Sequence, residues 1–106
     1  MIDIVLFSRG DKLTGFHITG HSDMNPEGPE ILCAAVSSAA YMAANTVTDV
    51  IHLEPELLVA DGDMMLKVKT EQEAIRCRDL FDGLKLHLRE IAKDYPKYLI
   101  ITNSEV

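Results

Sequence analysis

Two side chains capable of covalent chemistry lie twelve residues apart in the N-terminal third of the chain. His21 follows Gly20 at the end of a β-favouring segment, and Cys33 lies near the start of a long Ala-rich segment. A Cys beside a His can act as a nucleophile, because the imidazole accepts the thiol proton and no metal is needed. The sequence therefore predicts a Cys–His pair if the fold brings the strand end and the helix start together.

Residues 28–30 favour a helix start just before Cys33. Pro29 suits the first helical position, and the acid Glu30 suits the first turn. The unpaired N–H groups and the dipole of such a terminus favour an anion, so they favour the thiolate form of Cys33. Ser37 lies four residues on, along the same helix face, and could donate a hydrogen bond to the sulfur or to a substrate.

Three of these site candidates also have structural interpretations. Glu30 could orient His21 or keep it protonated, but it could equally be a first-turn acid that stabilises the helix by ~0.3–1 kcal/mol. Cys33 could be a small buried side chain, since free Cys is among the most buried residue types. His21 could be a surface or packing residue.

Other candidates are weaker. His17 and His21 would lie about 13 Å apart along one strand, at roughly 3.3 Å per residue, so they could not share a metal ion. Asn45 would lie about 18 Å along the helix from Cys33 and could not orient His21 within one subunit. Cys77 belongs to an apolar helical stripe and is expected in the core. No Cys/His cluster has zinc-site spacing, and we expect neither a metal nor a cofactor.

The surrounding sequence predicts two hairpins, two helices and a final strand, in the order β-β-α-β-β-α-β. Turn residues between β-favouring segments indicate the hairpins, and apolar spacings of three and four indicate the helices. The predicted strands are 2–8, 13–20, 57–60, 64–69 and 98–103, and the predicted helices are 30–52 and 71–94. Thr70 and Glu73 have capping-box spacing at the second helix start. The order favours an α/β (α+β) two-layer sandwich with an antiparallel or mixed sheet and both helices on one face.

Length and charge limit the classes of protein. The 106 residues suffice for one domain, 1–106, and the net charge of −7 leaves no basic face for direct binding of nucleic acid. An acidic surface suits a basic protein partner, and it suits solubility equally well. No secretory leader and no membrane span of about 18 apolar residues is recognised, so we expect a cytoplasmic protein with two reduced thiols.

The residues around the predicted pair resemble a known family. Gly20-His21, the Pro-containing loop and Glu30-Ile31-Leu32-Cys33-Ala34-Ala35-Val36-Ser37 are similar to the signature of the ribosomal-processing cysteine proteases, the Prp family. The length and the element order agree along nearly the whole chain. The family usually has Asp shortly before the Cys, where this chain has Glu30.

The resemblance implies a specific activity. It implies a cytoplasmic, homodimeric cysteine endopeptidase that removes a short N-terminal extension from a basic large-subunit ribosomal protein of bacteria, cutting after an aromatic residue. Cys33 would be the nucleophile and His21 the general base. From their positions beside the pair, we expect Glu30, Ser37 and Gly20 to support it, and we expect a thioester to form during the reaction.

Two other functions remain open from the residues. The chain could be a non-catalytic ribosome-associated assembly or binding factor in which Cys33 only packs and His21 caps the loop. It could also be a thiol acyl-transferase that acts on a small molecule. Rapid alkylation of the Cys33 thiol near pH 6 would indicate an enzyme, whereas a binding factor would have an inert thiol. A peptide trapped as a thioester on Cys33 would indicate a protease, whereas a small acyl group would indicate an acyl-transferase.

Overall fold

Five strands and three helices make up the described part of the chain. The structure, a computed structural model, describes residues 1–20 and 29–105, and of residues 29 and 30 it describes only the backbone. In chain order the elements are β1 Ile2–Arg9, β2 Lys12–Thr19, α1 Pro29–Asn45, β3 Glu56–Ala60, β4 Asp63–Lys67, α2 Glu71–Arg76, α3 Arg78–Asp94 and β5 Leu99–Glu105. The fold class is the predicted α+β arrangement of a sheet with helices.

The sheet is mixed. Its strand order is β3-β4-β2-β1-β5. The two predicted hairpins, β1–β2 and β3–β4, are antiparallel, and β2 and β4 also pair antiparallel. The final strand β5 pairs parallel with β1. The sequence predicted an antiparallel or a mixed sheet, and the parallel pairing of β5 makes the sheet mixed.

The two faces of the sheet differ in burial. Ile4, Leu6, Phe16 and Leu66 are each at most 2% exposed and lie on the face covered by the helices, where they join a single apolar cluster with residues of α1 and α3. Alternate residues point to the other face, because side chains alternate along a strand. His17 lies on that second face, between Phe16 and Ile18 in sequence. The core therefore lies between the sheet and the helix layer.

The α-helical part of the first helix is shorter than predicted. The single helix expected over 30–52 is an α-helix, α1, that ends at Asn45 and continues as a π-helical turn, Thr46–Val50. The Thr46 hydroxyl donates to the Met42 carbonyl at 2.7 Å, and the Thr48 hydroxyl donates to the Ala44 carbonyl at 3.2 Å. Thr side chains that bond back to the preceding turn in this way distort helices.

The second predicted helix is divided at Cys77. The capping box is confirmed, because the Thr70 hydroxyl accepts from the Glu73 N–H and the Glu73 carboxylate accepts from the Thr70 N–H. The helix predicted over 71–94 is however two helices, α2 and α3, with Cys77 between them at φ −97° and ψ 5°. The Arg76 guanidinium, one residue before the break, donates to the Ile51 carbonyl at 2.7 Å. This contact connects the break to the end of the first helix.

The segment Ile31–Val50 is long and apolar enough to cross a membrane by length and composition, contrary to the expectation from the sequence. A helix of a protein core meets the same criterion. Here Leu32, Val36, Ala43 and Val47 are each at most 2% exposed within the apolar cluster. One face of this segment thus packs against the sheet.

Candidate active site

Cys33 faces a cleft between α1 and the sheet. The side chain is partly buried and packs against the apolar cluster. The cleft has a volume of ≈ 410 Å³, which is within the usual range for a ligand pocket. Three parts of the fold line it: one face of α1, the adjacent ends of β1 and β2, and the β3–β4 hairpin. The lining residues are Ile2, Ile18, Gly20, Cys33, Val36, Ser37, Ala40, Tyr41, Val59, Ala60, Asp61, Gly62, Asp63 and Met64.

Helical periodicity brings three polar or reactive side chains of α1 to this cleft. Cys33, Ser37 and Tyr41 are spaced by four residues, so they lie one above the other on one helix face. Ser37 was singled out from the sequence, and it lines the same cleft as the thiol. Tyr41 was not, although extending the same spacing by one more turn would have found it.

Gly20 is fixed at the edge of the cleft by its backbone. Its φ is +118°, and an added Cβ would overlap the Met1 carbonyl oxygen and lie 3.1 Å from the Ile2 Cα. The Gly20 N–H donates to the Gly62 carbonyl at 3.0 Å. Only glycine fits such a position, because side chains are strained at this φ and no space remains for one. The chain therefore leaves β2 at the edge of the cleft that Cys33 also lines.

The predicted partners of the thiol lie where side chains are not described. His21 lies outside the described residues, and of Glu30 only the backbone, at the start of α1, is described. Both remain predictions: His21 as the base of Cys33, and Glu30 as the residue that orients it. The structure does describe Gly20, the residue before His21, and places it at the edge of the cleft that Cys33 lines.

The three described histidines do not line the cleft. His17 lies on the sheet face opposite the helices, and its Nε2 is 2.7 Å from the Asp63 Oδ1. His52 follows the π-helical turn, nineteen residues after Cys33, which corresponds to about 28 Å of helix. His87 is exposed on α3. Within the described residues, then, no imidazole competes with His21 for the role of base.

The hairpin wall was not predicted from the sequence. Residues 61–63 were expected only as a turn, yet Asp61, Gly62 and Asp63 line the cleft opposite α1. Their position follows from the pairing of β4 with β2, which sets Asp63 opposite Thr19. Local turn signals carry no information on that pairing, so the sequence alone did not place this hairpin turn on the cleft that Cys33 lines.

The second thiol differs from Cys33 in its surroundings. Cys77 is 0% exposed, as predicted for a core residue. Burial raises the pKa of the Cys77 thiol above its ordinary value, because desolvation disfavours the thiolate. Among the described side chains, no three His, Cys, Asp or Glu residues are grouped closely enough to hold a metal ion.

Comparison with known proteins gives the family. A family model described as cysteine protease Prp matches residues 1–100. The chain belongs to this family. It is 27% identical over 110 residues to the ribosomal processing cysteine protease Prp of Bacillus subtilis, and the alignment covers 98% of each chain. The predicted family and the predicted class of enzyme, a cysteine protease, are confirmed.

Solved structures agree with the fold. The structure of the ribosomal processing protease Prp from S. aureus with a substrate peptide has a TM-score of 0.86 at 17% identity, covering 98% of this chain and 100% of the other. SMU.848 from Streptococcus mutans has a TM-score of 0.86 at 22% identity, covering 100% and 99%. The arrangement of strands and helices is therefore that of the solved Prp structures.

Proposed function

We propose that this Prp-family protease removes a short N-terminal extension from a large-subunit ribosomal protein, with Cys33 as nucleophile and His21 as base. The observation that carries the proposal is the position of Cys33 in a cleft whose edge is formed by Gly20, the residue before His21. The name of the B. subtilis relative supports ribosomal processing, and the S. aureus relative was crystallised with a substrate peptide.

The reaction proceeds in two halves. His21 accepts the thiol proton, and the Cys33 sulfur attacks the scissile carbonyl carbon. The tetrahedral intermediate collapses to a thioester, and the leaving amine takes the proton from His21. A water molecule, deprotonated by His21, then attacks the thioester carbonyl, releases the acid product and returns the proton to the sulfur. The balance requires no oxidant, reductant or cofactor.

The start of α1 stabilises the negative charges of this reaction. The first N–H groups of a helix have no intrahelical partner, and they point toward the N-terminal end. Cys33 lies one turn inside α1, and its side chain inclines toward that end, as side chains on helices do. The free N–H groups would donate to the oxyanion of the tetrahedral intermediate.

Two neighbours would assist the pair. Ser37 lies one turn after Cys33 in the cleft and would donate a hydrogen bond to the sulfur or the substrate carbonyl. Glu30, in the first turn, would accept from His21 and orient its ring. Gly20 would set the direction in which the chain enters His21.

A homodimer is part of the proposal, with α1 as the contact surface. No charged residue occurs from Ile31 to Thr48. On the exposed side of this helix Ile31 is 71% exposed and Met42 is 54% exposed. An uncharged, apolar helix face of this kind is typical of a protein interface. Met42→Glu should convert the dimer into monomers in sedimentation experiments, whereas Leu86→Glu, on an exposed position of α3, should not.

The test of the proposed function is cleavage of a ribosomal protein precursor followed by mass spectrometry. Cys33→Ala should abolish cleavage and leave the unfolding transition unchanged, because the side chain is only partly buried. Cys77→Ala is the matched control and should still cut the precursor. If Cys33→Ala cuts as fast as the unaltered protein, the proposed nucleophile is wrong. If the unaltered protein binds the precursor without cutting it, the chain is an assembly or binding factor.

A further inference from the structure

Strand β3 is an edge strand of the sheet, and no other described strand covers its outer side. It lies at one end of the order β3-β4-β2-β1-β5. All five of its residues are exposed, and its three large apolar residues, Leu57, Leu58 and Val59, are 44–47% exposed. Exposed apolar edge strands tend to pair with other chains, and many proteins protect them with Lys, Pro or a bulge. Glu56–Ala60 contains none of these.

The hydrogen bonds of β4 show which backbone groups of β3 point outward. The Val68 N–H donates to the Thr14 carbonyl at 2.8 Å, and the Gly20 N–H donates to the Gly62 carbonyl at 3.0 Å. In an antiparallel pair the bonded positions alternate. The even-numbered residues of β4 therefore bond to β2, and the odd-numbered residues bond to β3.

The register then determines the free positions of β3. Leu58 lies opposite Met65, and Ala60 lies opposite Asp63, so these two residues bond to β4. The N–H and C=O groups of Leu57 and Val59 point away from the sheet, toward the outer side of β3. Four backbone groups in one row are thus available to an extended peptide.

This edge is continuous with the cleft of Cys33. Val59 and Ala60 belong both to β3 and to the cleft wall, and Leu57 follows at about 7 Å along the strand. An extended peptide in the cleft could therefore continue along β3 without a turn. Glu54 and Glu56 lie at the far end of the edge, and β3 itself contains no Lys or Arg. Lys67 lies opposite Glu56 on β4, but its ammonium lies over the Phe7 ring on β1, so the edge still favours a basic segment. A second copy of β3 would bring further carboxylates to it instead of cations.

We propose that the peptide substrate adds to β3 as a sixth strand, bonded by the backbone of Leu57 and Val59, with a basic side chain beside Glu56. Strand addition of this kind provides affinity through main-chain hydrogen bonds, and the flanking side chains provide selectivity. The inference rests on the proposed function, because the peptide that enters the cleft is taken to be the substrate.

The test measures binding separately from cleavage. Labelled substrate peptides are titrated against the Cys33→Ala protein by fluorescence anisotropy, and cleavage is measured with Cys33 present. Leu57→Pro removes the outward N–H without breaking a bond to β4, and proline is tolerated at such edge positions. Leu57→Ala keeps the N–H and removes the side chain. Asn103→Pro is the control on the opposite edge strand, β5. The Ile2 N–H donates to the Tyr98 carbonyl, so the backbone groups of even-numbered residues of β5 point toward β1. The backbone N–H of Asn103 therefore points outward, like that of Leu57.

Leu57→Pro should weaken binding of the full peptide about three- to tenfold, as expected for the loss of one hydrogen bond. Leu57→Ala and Asn103→Pro should change it less than about twofold. A peptide shortened on the side that lies along β3 should bind Leu57→Pro and the parent equally. Replacing the peptide's basic residue by a neutral one should weaken binding to the parent but not to Glu56→Gln.

Three outcomes overturn the inference. Cleavage by the unaltered protein together with equal peptide binding by Leu57→Pro and Leu57→Ala would show that β3 makes no backbone contact with the substrate. A change of oligomeric state in Leu57→Pro, with peptide binding unchanged, would assign the edge to a second copy. Weaker binding of the peptide by Asn103→Pro than by Leu57→Pro would place it on β5. Absence of cleavage by the unaltered protein would instead reject the proposed function, because the binding assay does not depend on catalysis.

Discussion

Replacing Gly20 by Ala should destabilise the fold and disable the cleft together. At φ +118° an Ala backbone is strained by about 1–3 kcal/mol. The new Cβ would also overlap the Met1 carbonyl oxygen and crowd the Ile2 Cα at 3.1 Å, and overpacking of this kind costs about 1–3 kcal/mol. Because Met1 is 54% exposed and can move, we expect the lower part of the sum, a loss of about 2–4 kcal/mol.

Gly10→Ala is the matched control. Gly10 also has a positive φ, +64°, but no atom lies within 4 Å of the Cβ that would be added. Only the backbone strain remains, about 1–2 kcal/mol. Gly10 lies in the turn after β1 and does not line the cleft, so Gly10→Ala should keep full peptidase activity.

The stability of both variants is measured by urea unfolding, followed by circular dichroism. Their peptidase activity is measured without urea, where both variants should be folded. The urea midpoint of Gly20→Ala should fall below that of Gly10→Ala, and only Gly20→Ala should lose most of its kcat/KM. Equal midpoints for the two variants, with undiminished activity of Gly20→Ala, would show that the close approach of Met1 and Gly20 does not position the cleft.

Four further changes have defined outcomes. Thr70→Ala removes the side-chain half of the capping box and should lower the free energy of unfolding by about 1 kcal/mol in urea titrations. Gly83→Ala should raise it by up to about 1 kcal/mol, because Gly83 lies inside α3 with nothing within 4 Å of the added methyl group; a lower urea midpoint would contradict this. Iodoacetamide should alkylate Cys33 well before Cys77 in the native protein, as read by peptide mass spectrometry, and equal rates would be inconsistent with the buried position of Cys77. Because burial raises the pKa of the Cys77 thiol, the folded state keeps its proton where the unfolded chain has lost it, so the free energy of unfolding should fall as the pH rises above about 9. Cys77→Ala should lose that part of the alkaline dependence.

Local sequence signals predicted the elements well. Gly10 and Gly62 each lie in a two-residue hairpin turn, and the segments before and after them are rich in β-favouring residues. The capping-box spacing at Thr70 correctly predicted that a helix starts at Glu71. Such features are local because the bonds that produce them join residues a few positions apart.

The order of the strands and the interruptions of the helices were not predictable in the same way. The parallel pairing of β5 with β1 joins residues almost one hundred positions apart, and no local pattern encodes it. The π-helical turn depends on Thr46 and Thr48 bonding back to carbonyl groups, which helix propensity does not distinguish from an exposed Thr. The break at Cys77 interrupts an apolar stripe that continues on both sides, so periodicity gave no sign of it.

The candidate site was predictable in its chemistry and only partly in its shape. Cys33 and Ser37 follow from residue types and helical spacing, and they line one cleft. The hairpin wall of the cleft and the outer edge of β3 follow from the sheet order, so the sequence did not indicate them. The substrate surface therefore depends on tertiary pairing, whereas the nucleophile is encoded locally.

The most direct test of the pairing of Cys33 with His21 is the distance from the Cys33 Sγ to the nearer ring nitrogen of His21. It should be measured in crystal structures of the free protein and of the protein with a bound peptide. The pairing predicts that the peptide-bound form brings the two atoms within about 4 Å, because proton transfer requires hydrogen-bond contact. Side chains that lie on opposite sides of the sheet in both forms would contradict it.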